Sequence, residues 1–137
     1  MKVCNKCHEP KAESFYRKQK SHGSYILRAV CKACEAQDKL RWRVSPAGKL
    51  SQYKGNAKTR NIAWELTRKE FESFWQEPCS YCGSEIETIG LDRIDSSQSY
   101  NIDNVVSCCS ICNAMKLDHS YEKWINHMKK VIKHQGE

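Results

Sequence analysis

Four C-x-x-C cysteine pairs constrain the fold of this 137-residue chain more than any other feature. The pairs are Cys4/Cys7, Cys31/Cys34, Cys79/Cys82 and Cys109/Cys112. Two intervening residues let a tight knuckle direct both sulfurs at one ion, and two knuckles complete a closed tetrahedral site. The spacing therefore predicts two structural Zn²⁺ ions per chain. It disfavours a disulfide framework, and a redox dithiol would need only one such pair.

The ninth cysteine, Cys108, stands outside these pairs. A pairing of Cys108 with Cys112 would need three intervening residues, so Cys109 is the better ligand. We interpret Cys108 as a small buried apolar side chain at the end of a strand.

The composition supports a metal-stabilised chain that is not embedded in a membrane. Hydrophobic residues make up 39% of the sequence, so the core is thin and needs help from bound metal. The sequence has no run of 18 apolar residues and no apolar segment near its start, so we expect neither a membrane span nor a secretory signal. We expect a reducing, cytoplasmic location, where thiols persist.

Positive charge is concentrated in the first part of the sequence. Residues 1–60 hold fifteen Lys and Arg against four Asp and Glu, whereas residues 61–137 hold eight against twelve. A local excess of this size predicts a polyanionic partner, and a solvated basic face is the alternative. The candidate nucleic-acid contacts here are Arg41, Arg43, Lys54, Lys58 and Arg60.

The first half of the chain contains signals for short strands and helices. Residues 14–16 and 24–30 predict strands joined by a polar loop. The second knuckle opens a helix that runs to about Arg43 and is ended by Pro46. Residues 47–61 are basic and weakly helical, and we interpret residues 46–66 as a basic connecting arm; a plain solvated linker helix is the alternative.

The second half combines a capped helix with a hairpin. Thr67 and Glu70 form a capping box that begins a helix, which Pro78 closes. Residues 88–95 and 104–108 predict two strands around a polar loop, and the fourth knuckle leads into a short helix. Ser120 caps a last helix, whose apolar stripe we interpret as core. The stripe consists of Trp124, Ile125, Met128, Val131 and Ile132.

Two oxygen-bearing side chains are expected to meet over this hairpin. Asp92 lies on the first strand, and Asn113 begins the helix directly after the last knuckle. One carboxylate, one amide oxygen and water suit Mg²⁺, which often completes its shell with substrate phosphate oxygens.

Three segments resemble the ββα-metal motif of the HNH nuclease family with its structural Cys4 zinc. They read CSYCG at 79–83, GLDRID at 90–95 and YNIDNVVSCCSICNAMK at 100–116, and the resemblance covers roughly residues 57–117. The lead-in NAKTRNIAWELTRKEF is similar to small phage HNH endonucleases. An additional N-terminal Cys4 module is similar to small dimeric HNH restriction enzymes.

The resemblance implies a small zinc-stabilised α+β fold in three parts. Residues 1–45 would form the N-terminal Cys4 module and residues 46–66 the basic connecting arm. Residues 67–137 would form a treble-clef-like HNH nuclease domain with its own Cys4 zinc. The related restriction enzymes are dimeric, so a homodimer is an open possibility.

The family pattern also implies roles for individual residues. Asp92 and Asn113 match the ligands of the catalytic metal, Mg²⁺ or Mn²⁺. Asn104 matches the middle position, which braces the loop. Lys116 matches a basic position one helical turn along, where a side chain can touch a phosphate.

The chain departs from the family immediately after the metal-binding acid. Most members have a histidine base there, whereas this sequence has Arg93. Arginine stays protonated and cannot act as a base, but it can clamp the scissile phosphate. Tyr100 is the candidate water activator, since a nearby metal and Arg93 would favour its phenolate. The alternative is that Tyr100 only packs the tip of the hairpin.

The resemblance implies a metal-dependent endonuclease that hydrolyses phosphodiester bonds in double-stranded DNA to 5′-phosphate and 3′-hydroxyl ends. It would act in a bacterial cell or a phage-infected host, with restriction, homing and packaging left open as its role. A catalytically inactive zinc-dependent DNA- or RNA-binding protein is the alternative, supported by Arg93. The basic first half disfavours a third alternative, a zinc-ribbon module for protein interaction.

Overall fold

The computed structural model describes residues 1–136 as two compact units, the first of which is Met1–Ser45. This small α+β unit contains two antiparallel strand pairs and one helix. Its elements are β1 (Lys2–Val3), β2 (Pro10–Lys11), a 3₁₀ turn (Glu13–Phe15), β3 (Tyr16–Ser21), β4 (Ser24–Cys31) and α1 (Lys32–Arg43). The first two cysteine pairs lie in the β1–β2 loop and at the β4–α1 junction.

The β3–β4 hairpin differs from the sequence prediction. Residues 17–21, predicted as part of a polar loop, form most of β3. The two strands are joined by His22 and Gly23, which both have positive φ angles, 46° and 84°. A two-residue turn with both φ angles positive matches the right-handed twist of a hairpin. Most side chains of β3 are exposed, so the strand lacks the apolar alternation by which a sequence reveals a strand.

The second unit begins at Pro46 and contains four helices and one hairpin within the described residues. Its elements are α2 (Pro46–Thr59), α3 (Arg68–Glu72), β5 (Leu91–Arg93), β6 (Val105–Ser107), α4 (Ser110–Lys116) and α5 (Tyr121–His134). Strands β5 and β6 are antiparallel, with Asp92 opposite Val106. Both strands are shorter than predicted.

Residues 46–66, predicted as a connecting arm, are an integral part of this unit. Pro46 is the first residue of α2, where its missing N–H costs no hydrogen bond. Ala57 and Leu66 are buried in the main core together with Phe71, and Tyr53 and Trp64 pack against it. The apolar residues of this basic segment therefore hold α2 against the rest of the unit.

Helix α3 begins as predicted and ends early. The capping box is present: Thr67 Oγ1 accepts from the Glu70 N–H, and the Glu70 carboxylate accepts from the Thr67 N–H. The helix ends at Glu72, well before Pro78. Gln76 adopts a left-handed conformation with φ 57°, and its N–H and side-chain amide donate to the Thr88 and Glu87 carbonyls. Gln76 therefore bonds a loop that is distant in sequence and does not continue the helix.

Gly90 is required by the close approach of two backbones before β5. A Cβ atom at this position would lie 2.0 Å from the Cys108 carbonyl oxygen. The Gly90 carbonyl accepts from the Cys108 N–H at 3.0 Å, so this approach extends the hairpin beyond its named strands. Cys108 is itself buried, in the position predicted for it after the second strand.

Helix α5 is capped by Ser120 as predicted, and its apolar stripe is only partly covered. Trp124 is buried, Ile125 and Met128 are half-buried, and Val131 and Ile132 are exposed. The stripe therefore contributes to a core only in its first half. Within residues 1–136, no helix is long and apolar enough to cross a membrane.

Candidate metal centres and active-site cleft

The eight cysteines of the C-x-x-C pairs form two clusters, each suited to one zinc ion. The first contains Cys4, Cys7, Cys31 and Cys34, and the second contains Cys79, Cys82, Cys109 and Cys112. Within each cluster the four sulfurs lie within 4.8 Å of one another. A tetrahedral ion with Zn–S bonds of about 2.3 Å separates its sulfurs by about 3.8 Å. The Cys82 and Cys109 sulfurs are 3.7 Å apart, so the donor set fits zinc.

Backbone donors prepare one thiol in each cluster for metal binding. Hydrogen bonds from the backbone of Cys7, and secondarily of Cys31 and Lys6, outweigh burial and lower the pKa of Cys4 to about 6. Burial raises the pKa of Cys79, but backbone hydrogen bonds from Cys109, Cys82 and Tyr81 lower it overall to about 6. Zinc binds the thiolate form, so the lowered pKa values of Cys4 and Cys79 favour metal binding at these two positions. In the same clusters the pKa of Cys34 is raised to about 12, chiefly by its hydrogen bond to Cys31, and burial raises the pKa of Cys112.

Cys108 is a buried thiol that lies outside both clusters. Burial raises the pKa of its thiol to about 12, with a smaller contribution from the negative charge of Cys79. Cys108 belongs to neither four-sulfur cluster. A protonated, buried thiol is consistent with the interpretation of Cys108 as a packing residue.

Asp92 lies at the centre of a buried hydrogen-bond network on β5. Its Oδ2 atom accepts from the Tyr81 hydroxyl at 2.7 Å and pairs with Lys116 Nζ at 3.0 Å. Burial, and secondarily the bond to Asp92, raise the pKa of Tyr81, so the phenol remains a hydrogen-bond donor. Both contacts fall on Oδ2, and the Asp92 side chain lines a cleft. This arrangement leaves Oδ1 to interact with a ligand there.

The structure corrects the prediction that Lys116 touches a phosphate. The Lys116 side chain is 0% exposed, and its ammonium group bonds the Arg93 carbonyl at 3.1 Å in addition to Asp92. A fully buried ammonium held by a carboxylate and a carbonyl cannot reach DNA at the surface. The last turn of α4 points this side chain beneath the hairpin, which the position in sequence did not reveal.

Arg93 is buried beside Asp92 and holds the hairpin loop. Its Nη1 atom donates to the Ser96 and Gln98 carbonyls, both at 2.7 Å. The guanidinium carbon lies 5.2 Å from the centroid of the Tyr100 ring, within cation–π distance. A guanidinium has five N–H donors, so two loop bonds leave donors for an anion in the cleft that Arg93 also lines.

Tyr100 is a packed residue that still borders the cleft. It is 9% exposed, and its ring lies 5.1 Å from that of Trp64. Its backbone pairs with the segment around Trp64, since its N–H donates to Ala63 and its carbonyl accepts from Glu65. The ring thus has the packing role of the alternative interpretation, and the side chain also lines the same cleft as Asp92.

Asn104 is buried and stabilises the hairpin loop at the point where β6 begins. Its Oδ1 atom accepts from the Asp95 N–H at 2.9 Å, and its Nδ2 atom donates to the Asp95 and Ser99 carbonyls at 3.0 and 2.9 Å. The Asn104 side chain does not line the cleft. Its bonds are those of a loop brace, without contact to a reacting group.

The cleft brings together four of the residues predicted to take part in catalysis. It has a volume of about 720 Å³, and Asp92, Arg93, Tyr100 and Asn113 all line it. Asn113 stands on the exposed face of α4, one turn before Lys116. A carboxylate and an amide that line one cleft can supply oxygen ligands of the kind that Mg²⁺ or Mn²⁺ prefers. The residues present therefore fit a hard divalent cation.

Four polar residues of α2 and the position directly after it also line the cleft. Lys49, Gln52, Asn56 and Arg60 all line it, and we call these four residues the cleft row. Their spacing of three or four residues places them on one helical face. The sequence pointed to Arg60 as a nucleic-acid contact and to Lys49 as a basic residue of the arm, but it did not single out Gln52 and Asn56.

The remaining predicted nucleic-acid contacts lie elsewhere. Lys54 and Lys58 are exposed on α2 and are not among the residues that line the cleft. Arg41 and Arg43 belong to α1 in the first unit. Sequence reasoning also missed Tyr81. Nothing in the C-x-x-C sequence indicates that one of its two intervening residues bonds a distant carboxylate.

Comparison with known proteins gives limited similarity. No family model matches the chain. An 88-residue region is 33% identical to the uncharacterized protein R423 of Acanthamoeba polyphaga mimivirus, covering 63% of this chain and 17% of that protein. The chain thus corresponds to about a sixth of the relative's length.

One solved structure, of the rare-cutting HNH restriction endonuclease PacI, is similar with a TM-score of 0.46 and 24% identity. The comparison covers 98% of this chain and 95% of that one. A TM-score of this size does not establish a shared fold.

Proposed function

We propose that this chain is a metal-dependent DNA endonuclease of the HNH type. The observation that carries the proposal is the common cleft of Asp92, Asn113 and Arg93. These side chains come from a strand and from the helix that follows the hairpin, which is the order expected of a ββα-metal site. The adjoining four-cysteine cluster that could hold zinc, at the knuckles around this hairpin, supports the same assignment.

In this proposal each cleft residue has a defined role. Asp92 and Asn113 hold the divalent cation, which when bound stabilises the charge on the leaving 3′ oxygen. Arg93 uses the guanidinium donors not bonded to the loop to bind the scissile phosphate. Tyr100, as its phenolate, would accept the proton of the attacking water, aided by the guanidinium near its ring. The water oxygen bonds to phosphorus as the bond to the 3′ oxygen breaks, and solvent protonates that leaving oxygen.

The cleft row supplies the surface that would bind DNA. Lys49 and Arg60 can neutralise phosphates on either side of the scissile bond, and the amides of Gln52 and Asn56 can donate to phosphate or base edges. The first unit would add sequence-independent contacts through its basic residues, including Arg41 and Arg43.

A zinc-dependent binding protein without catalytic activity is the second candidate function. The packing of Tyr100 against Trp64 and the loop bonds of Arg93 favour it, because both give these residues a structural role. It offers no reason for Asp92 and Asn113 to share a cleft.

A plasmid assay separates the two functions. Zinc-loaded protein is incubated with supercoiled plasmid, with Mg²⁺ present or omitted, and DNA binding is measured in parallel by gel shift. We expect Mg²⁺-dependent nicking or linearisation that Asp92→Ala and Asn113→Ala abolish while DNA binding is retained. Binding without cleavage by the wild-type protein, in Mg²⁺ and in Mn²⁺, would establish the second function instead.

A further inference from the structure

A tyrosine of the second zinc-binding cluster makes direct contact with the proposed metal-binding carboxylate. Tyr81 lies between Cys79 and Cys82, two of the four cysteines of that cluster. Its hydroxyl donates to Asp92 Oδ2 at 2.7 Å, and Lys116 Nζ lies 3.0 Å from the same oxygen. Two donors therefore converge on one oxygen of a carboxylate that is only 5% exposed.

The ring of Tyr81 is held on two sides, so its hydroxyl has a fixed position. It meets Trp124 edge-on with centroids 5.1 Å apart, and it stacks on Tyr121 at 5.9 Å. The flanking cysteines fix its backbone when they bind an ion. The position of the Tyr81 hydroxyl thus depends on the knuckle and on α5, and the knuckle is in turn joined to the hairpin by a hydrogen bond from the Ser80 N–H to the Ser107 carbonyl.

We propose that Tyr81 is a positioning residue that fixes the plane of the Asp92 carboxylate and presents its Oδ1 atom to the divalent cation in the cleft. Lys116 acts with it as the second donor to Oδ2. The proposal rests on the proposed function, because it assumes that the cation binds at Asp92. The knuckle thereby gains a second role, since the structural zinc site orders a ligand of the catalytic metal.

The physical reason is the rotational freedom of a carboxylate. Without partners, the Asp92 carboxylate can turn about its terminal bond and offer either oxygen or neither. Hydrogen bonds to the oxygen that does not bind metal hold the other in place, and loss of such outer partners typically weakens metal binding about 10–100-fold. Tyr81 is a neutral donor, so it orients Asp92 without adding a charge that repels the cation.

The test is the affinity of the zinc-loaded protein for Mn²⁺ in the absence of DNA. Free Mn²⁺ is followed by electron paramagnetic resonance during a titration of the wild type, Tyr81→Phe, Tyr121→Phe and Asp92→Asn. We expect Tyr81→Phe to raise the dissociation constant of the Asp92-dependent site about 10–100-fold. Tyr121→Phe is the matched control, since it removes a hydroxyl from the same aromatic stack and should leave the affinity unchanged.

A cleavage readout separates orientation from packing. In plasmid nicking by Tyr81→Phe, the Mg²⁺ concentration for half-maximal rate should rise by a similar factor, while the rate at saturating Mg²⁺ changes much less. A purely structural tyrosine would lower the melting temperature and leave this concentration unchanged.

Three results would overturn the proposal, and they are distinguishable from failure of the proposed function. Equal Mn²⁺ affinity of Tyr81→Phe and wild type would show that the hydroxyl does not position Asp92. Loss of zinc from Tyr81→Phe would show that the hydroxyl serves the knuckle itself. Wild-type protein that binds no Mn²⁺ in an Asp92-dependent manner would remove the catalytic metal site and the proposal together. Asp92-dependent Mn²⁺ binding without DNA cleavage would refute only the endonuclease function.

Discussion

The two faces of α2 give the sharpest test of where DNA would bind. Lys49 and Arg60 line the cleft beside Asp92, whereas Lys54 and Lys58 are exposed in the same segment and do not line it. Two double variants, Lys49→Ala/Arg60→Ala and Lys54→Ala/Lys58→Ala, remove the same charge from the same helical region. Only the first should remove phosphate contacts in the cleft.

The magnitude follows from counterion release. Each phosphate neutralised by the protein contributes about 0.9 to the slope of log K against log salt concentration. Loss of two contacts should therefore flatten the slope by about 1.8 in Lys49→Ala/Arg60→Ala. Between 50 and 200 mM salt this corresponds to a change of about 12-fold in the affinity ratio of wild type to variant, because salt rises fourfold.

The assay is fluorescence anisotropy with a labelled duplex across a KCl series. Divalent cations are left out to prevent cleavage, and no chelator is added because it would remove zinc. Zinc content of each variant is measured to confirm that both clusters remain filled. We expect the Lys54→Ala/Lys58→Ala slope to stay within a few tenths of wild type.

Two outcomes would refute the assignment of the cleft row. Equal flattening in both double variants would mean that α2 contributes only a diffuse positive field. An unchanged slope in Lys49→Ala/Arg60→Ala, with a flattened one in Lys54→Ala/Lys58→Ala, would place the DNA on the face of α2 predicted from the sequence and away from the cleft.

Three further perturbations test the zinc sites, the water activator and the hairpin. Metal analysis should find two zincs in wild type and Cys108→Ser and fewer in Cys109→Ser; equal loss in both would contradict the ligand assignment. Tyr100→Phe should lower the cleavage rate about 10²–10⁴-fold, the usual size of a lost general base, and full activity from pH 6 to 10 would exclude this role. Gly90→Ala should cost about 3 kcal/mol in denaturant unfolding, since its Cβ would meet the Cys108 carbonyl, and wild-type stability would contradict that contact.

The sequence predicted those features that depend on local spacing. Each C-x-x-C pair is a local unit, and the four-sulfur clusters are the pairings that the spacing favoured. The capping box of Thr67 and Glu70 was equally visible, because its two hydrogen bonds join residues three apart. These features can be predicted from sequence because they depend on residues close together in the chain and not on tertiary contacts.

Features decided by distant contacts were missed. Helix α3 ends early because Gln76 bonds residues 87–88, and Lys116 is buried because its ammonium group meets Asp92 and the Arg93 carbonyl. The partner of the carboxylate, Tyr81, is 11 residues away in sequence and lies in a motif that was interpreted only as a zinc ligand set.

The predicted arm forms a helix, in line with its weakly helical pattern, but its packing into the core of the second unit was not predicted. Its high positive charge concealed the apolar residues Tyr53, Ala57 and Trp64, which pack in the core or against it. The charged residues and the buried residues lie on different faces of the same segment. A helical projection of residues 46–60 would have separated them and shown the cleft row.

The cleavage of supercoiled plasmid by wild type and Asp92→Asn in Mg²⁺ tests the central claim most directly. The substitution removes the charged metal ligand and keeps the size of the side chain. It also leaves the buried Lys116 ammonium without its carboxylate, so the melting temperature and zinc content of the variant are measured to confirm that it is folded. We predict that zinc-loaded wild type converts the plasmid to nicked or linear DNA with 5′-phosphate and 3′-hydroxyl ends, and that Asp92→Asn binds DNA but does not cut it. Equal cleavage by both proteins, or cleavage that persists without added divalent metal, would contradict the assignment of Asp92 as the ligand of a catalytic cation.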